Sequence, residues 1–196
     1  SKAMQQLLNV NEPDYGHLFD DMEISNGSVV NIDTLISPRV EAEIGFVLKE
    51  DLKGSNVTFL DVIMATDYVV PTLEIIDSRI ADWKIKLEDT VADNGSSAKV
   101  VVGNKRLPLE EINLRTNGMI LKKNNEIVGT GAGSAALGHP AEAIAWLANK
   151  LSEFNIHLKK GELILPGALA AAVPVGKGDI IEADFGILGS VSVSFE

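Results

Sequence analysis

The sequence contains no cysteine, which excludes disulfides, thiolate metal sites and cysteine nucleophiles and is compatible with the cytoplasm. It has no apolar run long enough to span a bilayer and no visible signal peptide. Positive charge is scarce: 17 Lys and Arg stand against 28 Asp and Glu, a formal net charge of −11. That balance argues against nucleic acid and anionic membrane as partners. It leaves a small anionic substrate open, because a bound metal ion inverts the local field. There is no Ser-His-Asp arrangement and no Gly-x-Ser-x-Gly elbow. Gly129-Thr130-Gly131-Ala132-Gly133 departs from the full dinucleotide-loop spacing and has no βαβ context, so it is discounted as a nucleotide site. Internal repeats, low-complexity tracts and linker-like runs are also missing.

What is present suits one globular domain. The 196 residues, 45% hydrophobic and 23% charged, are enough for a sizeable core, so residues 1–196 are read as a single catalytic domain. Ser1-Lys2-Ala3-Met4 has no initiator and reads as part of a helix over 1–8, so an N-terminal segment of a longer protein is expected to be missing. Residues 11–17 form a turn-rich loop. Strands are expected near 28–31, 40–49, 99–102 and 117–123, with Asn124-Asn125 turning into 126–129. Further strands are expected at 163–165, 180–185 and 190–195. Leu60 to Thr66 reads as a short helix, and Pro140 opens a clear one whose buried face is Ile144, Leu147, Leu151 and Phe154. The class is α+β and β-dominated, with sheet closure around a site.

The chemistry starts at Pro38-Arg39-Val40-Glu41-Ala42-Glu43-Ile44-Gly45-Phe46-Val47-Leu48. Its period of two reads as a strand, with Ala42, Ile44, Phe46 and Leu48 facing a core and Glu41 and Glu43 sharing the other side. Their roots lie roughly 7 Å apart, at about 3.3 Å per residue. Like charges that close repel unless a positive group intervenes, and a hard divalent cation is the simplest one. A solvated strand face is the commoner fate of a lone Glu-x-Glu pair. A third acid, Glu74, stands in the β-rich run Tyr68 to Asp77, where burial without a partner is costly. Its alternative is the exposed face of an edge strand, which Pro71 permits. Three acids on two neighbouring strands make an octahedral Mg²⁺ or Mn²⁺ site, with water or substrate completing it.

Other candidates are weaker. Asp14 is either a general base reaching into the site or a turn former after Pro13, and the composition rule favours the turn. His17 reads as a surface histidine and His139 as a helix N-cap. Lys84 and Lys86 alternate with Trp83, Ile85 and Leu87; on a strand their ammonium groups share one side, to bind a substrate carboxylate or to solvate an exposed face. Ser96 and Ser97 offer hydrogen bonds to an oxyanion or a water. Leu165-Pro166-Gly167-Ala168-Leu169 either brings backbone amides to a ligand or simply allows tight packing.

Several stretches, in order along nearly the whole chain, carry a family resemblance: Glu12-Pro13-Asp14-Tyr15-Gly16, Pro38 to Glu43, Leu73-Glu74-Ile75-Ile76-Asp77-Ser78-Arg79-Ile80, Asp89-Thr90-Val91-Ala92-Asp93-Asn94, Leu137-Gly138-His139-Pro140 with Trp146-Leu147-Ala148, and Leu188-Gly189-Ser190-Val191-Ser192. The sequence resembles the 2-keto-4-pentenoate hydratase and 4-oxalocrotonate decarboxylase family of the fumarylacetoacetate hydrolase superfamily. The resemblance implies a mixed β fold with a rolled sheet around a metal, Mg²⁺ or Mn²⁺, with Glu41, Glu43 and Glu74 as ligands. It implies a proton-transfer role for Asp14 and a substrate-lining position for Ser96. Lys86 is carried as a further catalytic candidate. The family's active-site lysine belongs to a Gly-x-Lys-x-Gly-Leu-Thr-Ser motif; Ser1 matches its last residue, which puts the lysine ahead of the sequence.

The implied reaction is addition of water to 2-hydroxypenta-2,4-dienoate, giving 4-hydroxy-2-oxopentanoate in aromatic meta-cleavage catabolism. Arg79 to Lys86, followed by Asp89 to Asn94, and Gly129 to Gly133 look more like the hydratase members. The alternatives are decarboxylation of 4-oxalocrotonate (2-oxohex-3-enedioate) and a non-catalytic partner subunit. Both reactions use the same metal and electron sink, so the acidic motif does not separate them. A carbon–carbon bond hydrolase fits less well, because no water-activating residue stands beside a histidine base. Implied partners are a small 2-oxo or 2-hydroxydienoic acid, further copies in a homo-oligomer, and a hydratase–decarboxylase complex.

Overall fold

The computed structural model describes residues 13–196, and the helix expected over 1–8 lies outside them. In chain order the strands are β1 (Glu23–Ser25), β2 (Val29–Val30), β3 (Pro38–Leu48), β4 (Thr66–Asp77), β5 (Ser97–Val102), β6 (Gly118–Lys123), β7 (Glu126–Ala132), β8 (Leu163–Ile164), β9 (Val173–Pro174), β10 (Ile180–Asp184) and β11 (Ser190–Phe195). The α-helices are α1 (Phe59–Ala65), α2 (Leu87–Ala92) and α3 (Pro140–Ser152).

The strands form two mixed sheets. One runs β1-β5-β4-β3-β8, with β9 also on β3; the other runs β2-β11-β10-β6-β7. In the second sheet Val191, Val193 and Phe195 are buried and alternate with Ser190, Ser192 and Ser194, the period-two signature of a strand with one face inward. They join Ala42, Ile44 and Phe46 of β3 in one continuous apolar core between the sheets. β3 and β4 pair antiparallel along almost their full length, and this rigid ribbon carries the acids.

Local chemistry sets the helix boundaries. Thr58 and Asp61 close a reciprocal capping box on α1. His139 Nδ1 accepts from Ala141 N–H at 3.1 Å ahead of Pro140, so the expected N-cap is formed. Ile144 and Leu151 are buried as expected, but α3 ends at Ser152 and Phe154, beyond it, is exposed. Asn124 and Asn125 both take positive φ, 53° and 68°, making the hairpin turn between β6 and β7. The glycines at 129–133 have a packing reason: a Cβ on Gly131 would collide with the Leu169 carbonyl.

Pro71 is not on an edge. β4 lies between β3 and β5, and Pro71 falls where β5 ends. Its carbonyl accepts from Gly103 N–H at 2.8 Å, so its missing N–H faces the same side, past the last β5 residue. At the far end of β4 the buried Asp77 carboxylate accepts from Ile36 N–H at 2.8 Å and Ser37 N–H at 2.6 Å. Replacing Asp77 by Ala leaves both donors without partners and is expected to destabilise the fold by about 2–4 kcal/mol, read by urea denaturation. A loss under about 0.5 kcal/mol would show that water replaces the carboxylate.

Candidate functional site

The β3–β4 register builds the site. Glu41 stands directly opposite Glu74, and Glu43 lies opposite Thr72, one diagonal step from Glu74 on the same face. Carboxylate oxygens of Glu41, Glu43 and Glu74 lie within 4.8 Å of one another. Glu41 and Glu43 are 6% and 1% exposed, and Glu74 is half-buried towards the cavity. Gly167 N–H donates to Glu43 Oε2 at 2.7 Å, so the 165–169 segment does bring a backbone amide to the acids.

Burial dominates the electrostatics. It pushes the Glu43 carboxyl up to about 7, against the Gly167 hydrogen bond that favours the ionised form. Glu74 is pushed up to about 8, first by burial and then by the charge of Glu43. Glu41 is raised well above the ordinary carboxylate range by burial, then by Glu74 and Glu43. No Lys or Arg among the described residues lines the surrounding cavity, so nothing in them balances three ionised acids. One further polar group is unspent: the buried Ser97 hydroxyl has no hydrogen-bond partner of good geometry, although it lies near enough to favour the Glu74 carboxylate. Hard oxygen donors and uncompensated charge together fit a divalent cation of the Mg²⁺ or Mn²⁺ type.

The cavity holds about 480 Å³. The acids line one part, with Asp14, Ser96 and Ser97; Leu137, Ile144, Trp146 and Leu147 supply an apolar wall. Tyr15 and Trp146 meet there, with ring centroids 6.4 Å apart. Asp14 Oδ2 accepts from Thr90 Oγ1 at 2.7 Å, so the turn-former alternative does not exhaust its role. Ser96 is buried, and its hydroxyl donates to Asp93 Oδ2 at 2.9 Å. Burial pushes Asp93 up, but the Arg79 backbone N–H and guanidinium outweigh it and hold that carboxyl below its usual range.

Lys86 is not brought to the cavity. Residues 83–87 form no strand: Asp82 and Trp83 take positive φ, 58° and 55°, and Lys86 then stands exposed at the N-cap of α2. Its backbone N–H donates to Asp89 Oδ2 at 3.0 Å. Lys84 pairs with Asp82 at 3.2 Å on the surface. Trp83 and Ile85 line the cavity instead. Sequence reasoning gave Thr90 no role; its only local signal is its place in a run of small polar residues.

Comparison with known proteins matches this geometry to a family. Residues 19–195 match the fumarylacetoacetate (FAA) hydrolase C-terminal family. A 2-hydroxyhexa-2,4-dienoate hydratase of Comamonas testosteroni is 48% identical over 197 residues, covering 100% of this chain and 75% of that protein. A 2-keto-4-pentenoate hydratase of Paraburkholderia xenovorans (strain LB400) is 48% identical over 196 residues, covering 100% of this chain and 73% of its own length. The solved structure of 4-oxalocrotonate decarboxylase from Pseudomonas putida G7, complexed with magnesium and adipate, superposes with a TM-score of 0.95 at 44% identity, covering 100% of this chain and 74% of that one.

Proposed function

The chain belongs to the fumarylacetoacetate hydrolase family, and from that membership we propose that it is a lyase that hydrates 2-hydroxypenta-2,4-dienoate to 4-hydroxy-2-oxopentanoate. The observation that carries this reading is the buried Glu41–Glu43–Glu74 cluster opening into a cavity that offers no cation from the described residues and has an apolar wall. Glu41, Glu43 and Glu74 would hold a divalent cation of the Mg²⁺ type, which would supply positive charge to offset the negative charge that develops on a 2-oxo acid.

The chain's own residues do the rest. Asp14 presents a carboxylate to the cavity, where it carries a proton between the substrate's carbon chain and water. Protonation at the far end of the dienol, C5, with loss of the proton from the 2-hydroxyl, gives an enone; water then bonds to C4 and one of its protons goes to C3. Ser97 offers its hydroxyl, beside Glu74, to the reacting water or a substrate oxygen, while Ser96 shapes the lining through Asp93. Lys86, exposed at the α2 N-cap, has no part in this reading. Leu137, Ile144, Trp146 and Leu147 suit a short hydrocarbon tail. A second carboxylate placed against that wall would find no Lys or Arg among the described lining residues, which favours the monoacid over the diacid. Decarboxylation of 2-oxohex-3-enedioate is the second reading, supported by the likeness to the decarboxylase structure.

Both sheets share one core, which supports a single catalytic domain. β7 is the edge strand of its sheet and leaves Ile127 and Val128 exposed, which supports assembly into homo-oligomers. No helix among the described residues is long and apolar enough to cross a membrane. The test is a mass spectrum of products from magnesium-loaded protein given each acid. Gain of one water on the dienoate is expected. Loss of CO₂ from the diacid, without hydration of the dienoate, would replace the hydratase reading by the decarboxylase.

A further inference from the structure

The loop that carries Asp14 has no secondary structure of its own between Pro13 and Phe19, yet its carboxylate has to meet the reacting atoms reproducibly. The contacts that fix it come from a distant segment. Thr90, on α2, is 1% exposed, and its hydroxyl hydrogen is committed to Asp14 Oδ2 at 2.7 Å. Four residues on, the Asn94 side chain grips the loop backbone from both sides: His17 N–H donates to Asn94 Oδ1 at 2.7 Å, and Asn94 Nδ2 donates to the His17 carbonyl at 2.8 Å. Between these grips Gly16 lies so close to the Asn94 carbonyl that a Cβ would collide with it.

The gripping segment is itself anchored. Arg79 donates its backbone N–H to Asp93 Oδ2 at 3.2 Å and its guanidinium to Asp93 Oδ1 at 3.0 Å, closing the excursion between β4 and β5 at its base. Asn94, Gly95 and Ser96 all take positive φ, between 56° and 66°, a run that only surrounding contacts sustain. Two of those contacts are the Asn94 grip and the Ser96–Asp93 hydrogen bond.

We propose that Thr90 is a positioning residue for proton transfer: its hydroxyl holds one oxygen of Asp14 and thereby aims the other into the cavity. This rests on the assignment of Asp14 as the proton carrier. A hydroxyl at this position cannot reach the reacting atoms through any hydrogen of its own, because Asp14 takes it. Its contribution therefore passes through Asp14, appears in the proton-transfer steps, and leaves substrate and metal binding alone.

The test compares Thr90→Val, which keeps the shape and loses the donor, with Thr90→Ser, which keeps the donor. Both are examined as magnesium-loaded protein, with Asp14→Asn and the Thr90→Val/Asp14→Asn double variant alongside. The readouts are hydration of the dienoate, and wash-in of deuterium from D₂O at C3 of 2-oxopentanoate followed by NMR. Thr90→Val is expected to lower kcat and the exchange rate by about 10–100-fold, with KM and the magnesium dissociation constant changed less than about threefold. Thr90→Ser is expected to recover both rates to within about fivefold of the parent. In the Asp14→Asn background, loss of the Thr90 hydroxyl should cost nothing more.

Thr90→Val at parental rates, failure of Thr90→Ser to recover them, or an equal further loss in the double variant would each overturn the proposal. Exchange without hydration in the parent would sink the hydratase reading and keep the positioning role. A parent inert in both assays would remove Asp14 as proton carrier, and Thr90's role with it.

Discussion

Glu43→Gln is expected to abolish turnover, by on the order of 10³-fold or more, while the metal-free protein becomes no less stable at pH 8. Function and stability part company here because the same burial acts on both. Glu43 is 1% exposed and shares one sheet face with Glu41 and, one diagonal step across the ribbon, Glu74. Its charge is what a divalent cation would bind, and in the metal-free protein that charge has no partner among the cavity-lining residues. Gln keeps an oxygen for the Gly167 N–H, which now meets the acid at 2.7 Å, so no backbone donor is orphaned. It also ends the desolvation cost of an ionised group at this position. The expected pattern is therefore a metal-free melting temperature equal to or above that of the parent, no upward shift on adding MgCl₂, and no product. Calorimetric titration, thermal melts and product analysis read the three effects. Retained turnover with intact magnesium binding would remove Glu43 from the ligand set.

Much of this site was legible because strand alternation is a local code. Glu41 and Glu43 two apart, in a run whose other side is Ala42, Ile44, Phe46 and Leu48, leave few alternatives once β3 is recognised. The third acid was legible as an anomaly, a charge inside the β-rich run of β4. The readings that went astray did so where a local pattern was overridden from a distance. Pro71 would permit an edge strand, yet β4 is flanked on both sides, and the proline is accommodated because β5 stops short of it. Lys84 and Lys86 alternate like a strand, but Trp83 is turned aside and pinned by its Nε1 donating to the Ser37 carbonyl at 3.0 Å. Asp89 then caps α2 at Lys86. Phe154 kept helical spacing after the helix had ended. Thr90 had no local signal beyond its place in a run of small polar residues: its partner lies 76 residues earlier, and only the tertiary fold brings the two together.

The pH dependence of the metal-free protein follows from the same three acids, and its sign is opposite to that of a salt-bridged carboxylate. Glu43 and Glu74 ionise near 7 and 8 in the folded chain, against an ordinary value of 4.5, and Glu41 is raised as well. Between those limits the folded state holds protons that the unfolded state has released. Stability from these groups therefore falls as pH rises through that window, and it is fully retained only below the ordinary value. For Glu43 alone the shift corresponds to about 3 kcal/mol as an upper bound, since water in the cavity softens the burial. The metal-free melting temperature is accordingly expected to drop between about pH 5 and pH 8.5. A divalent cation takes the ionised form, so the upward shift on adding MgCl₂ should grow over the same range. Binding at pH 7 should release about one to two protons, read by calorimetry in buffers of different ionisation enthalpy. Exposed carboxylates would give neither trend, because their ordinary ionisation is complete below pH 6. A magnesium-induced shift that is flat from about pH 5.5 to 8.5, or metal-free stability that climbs across it, would mean that the three acids are not the group that binds the cation.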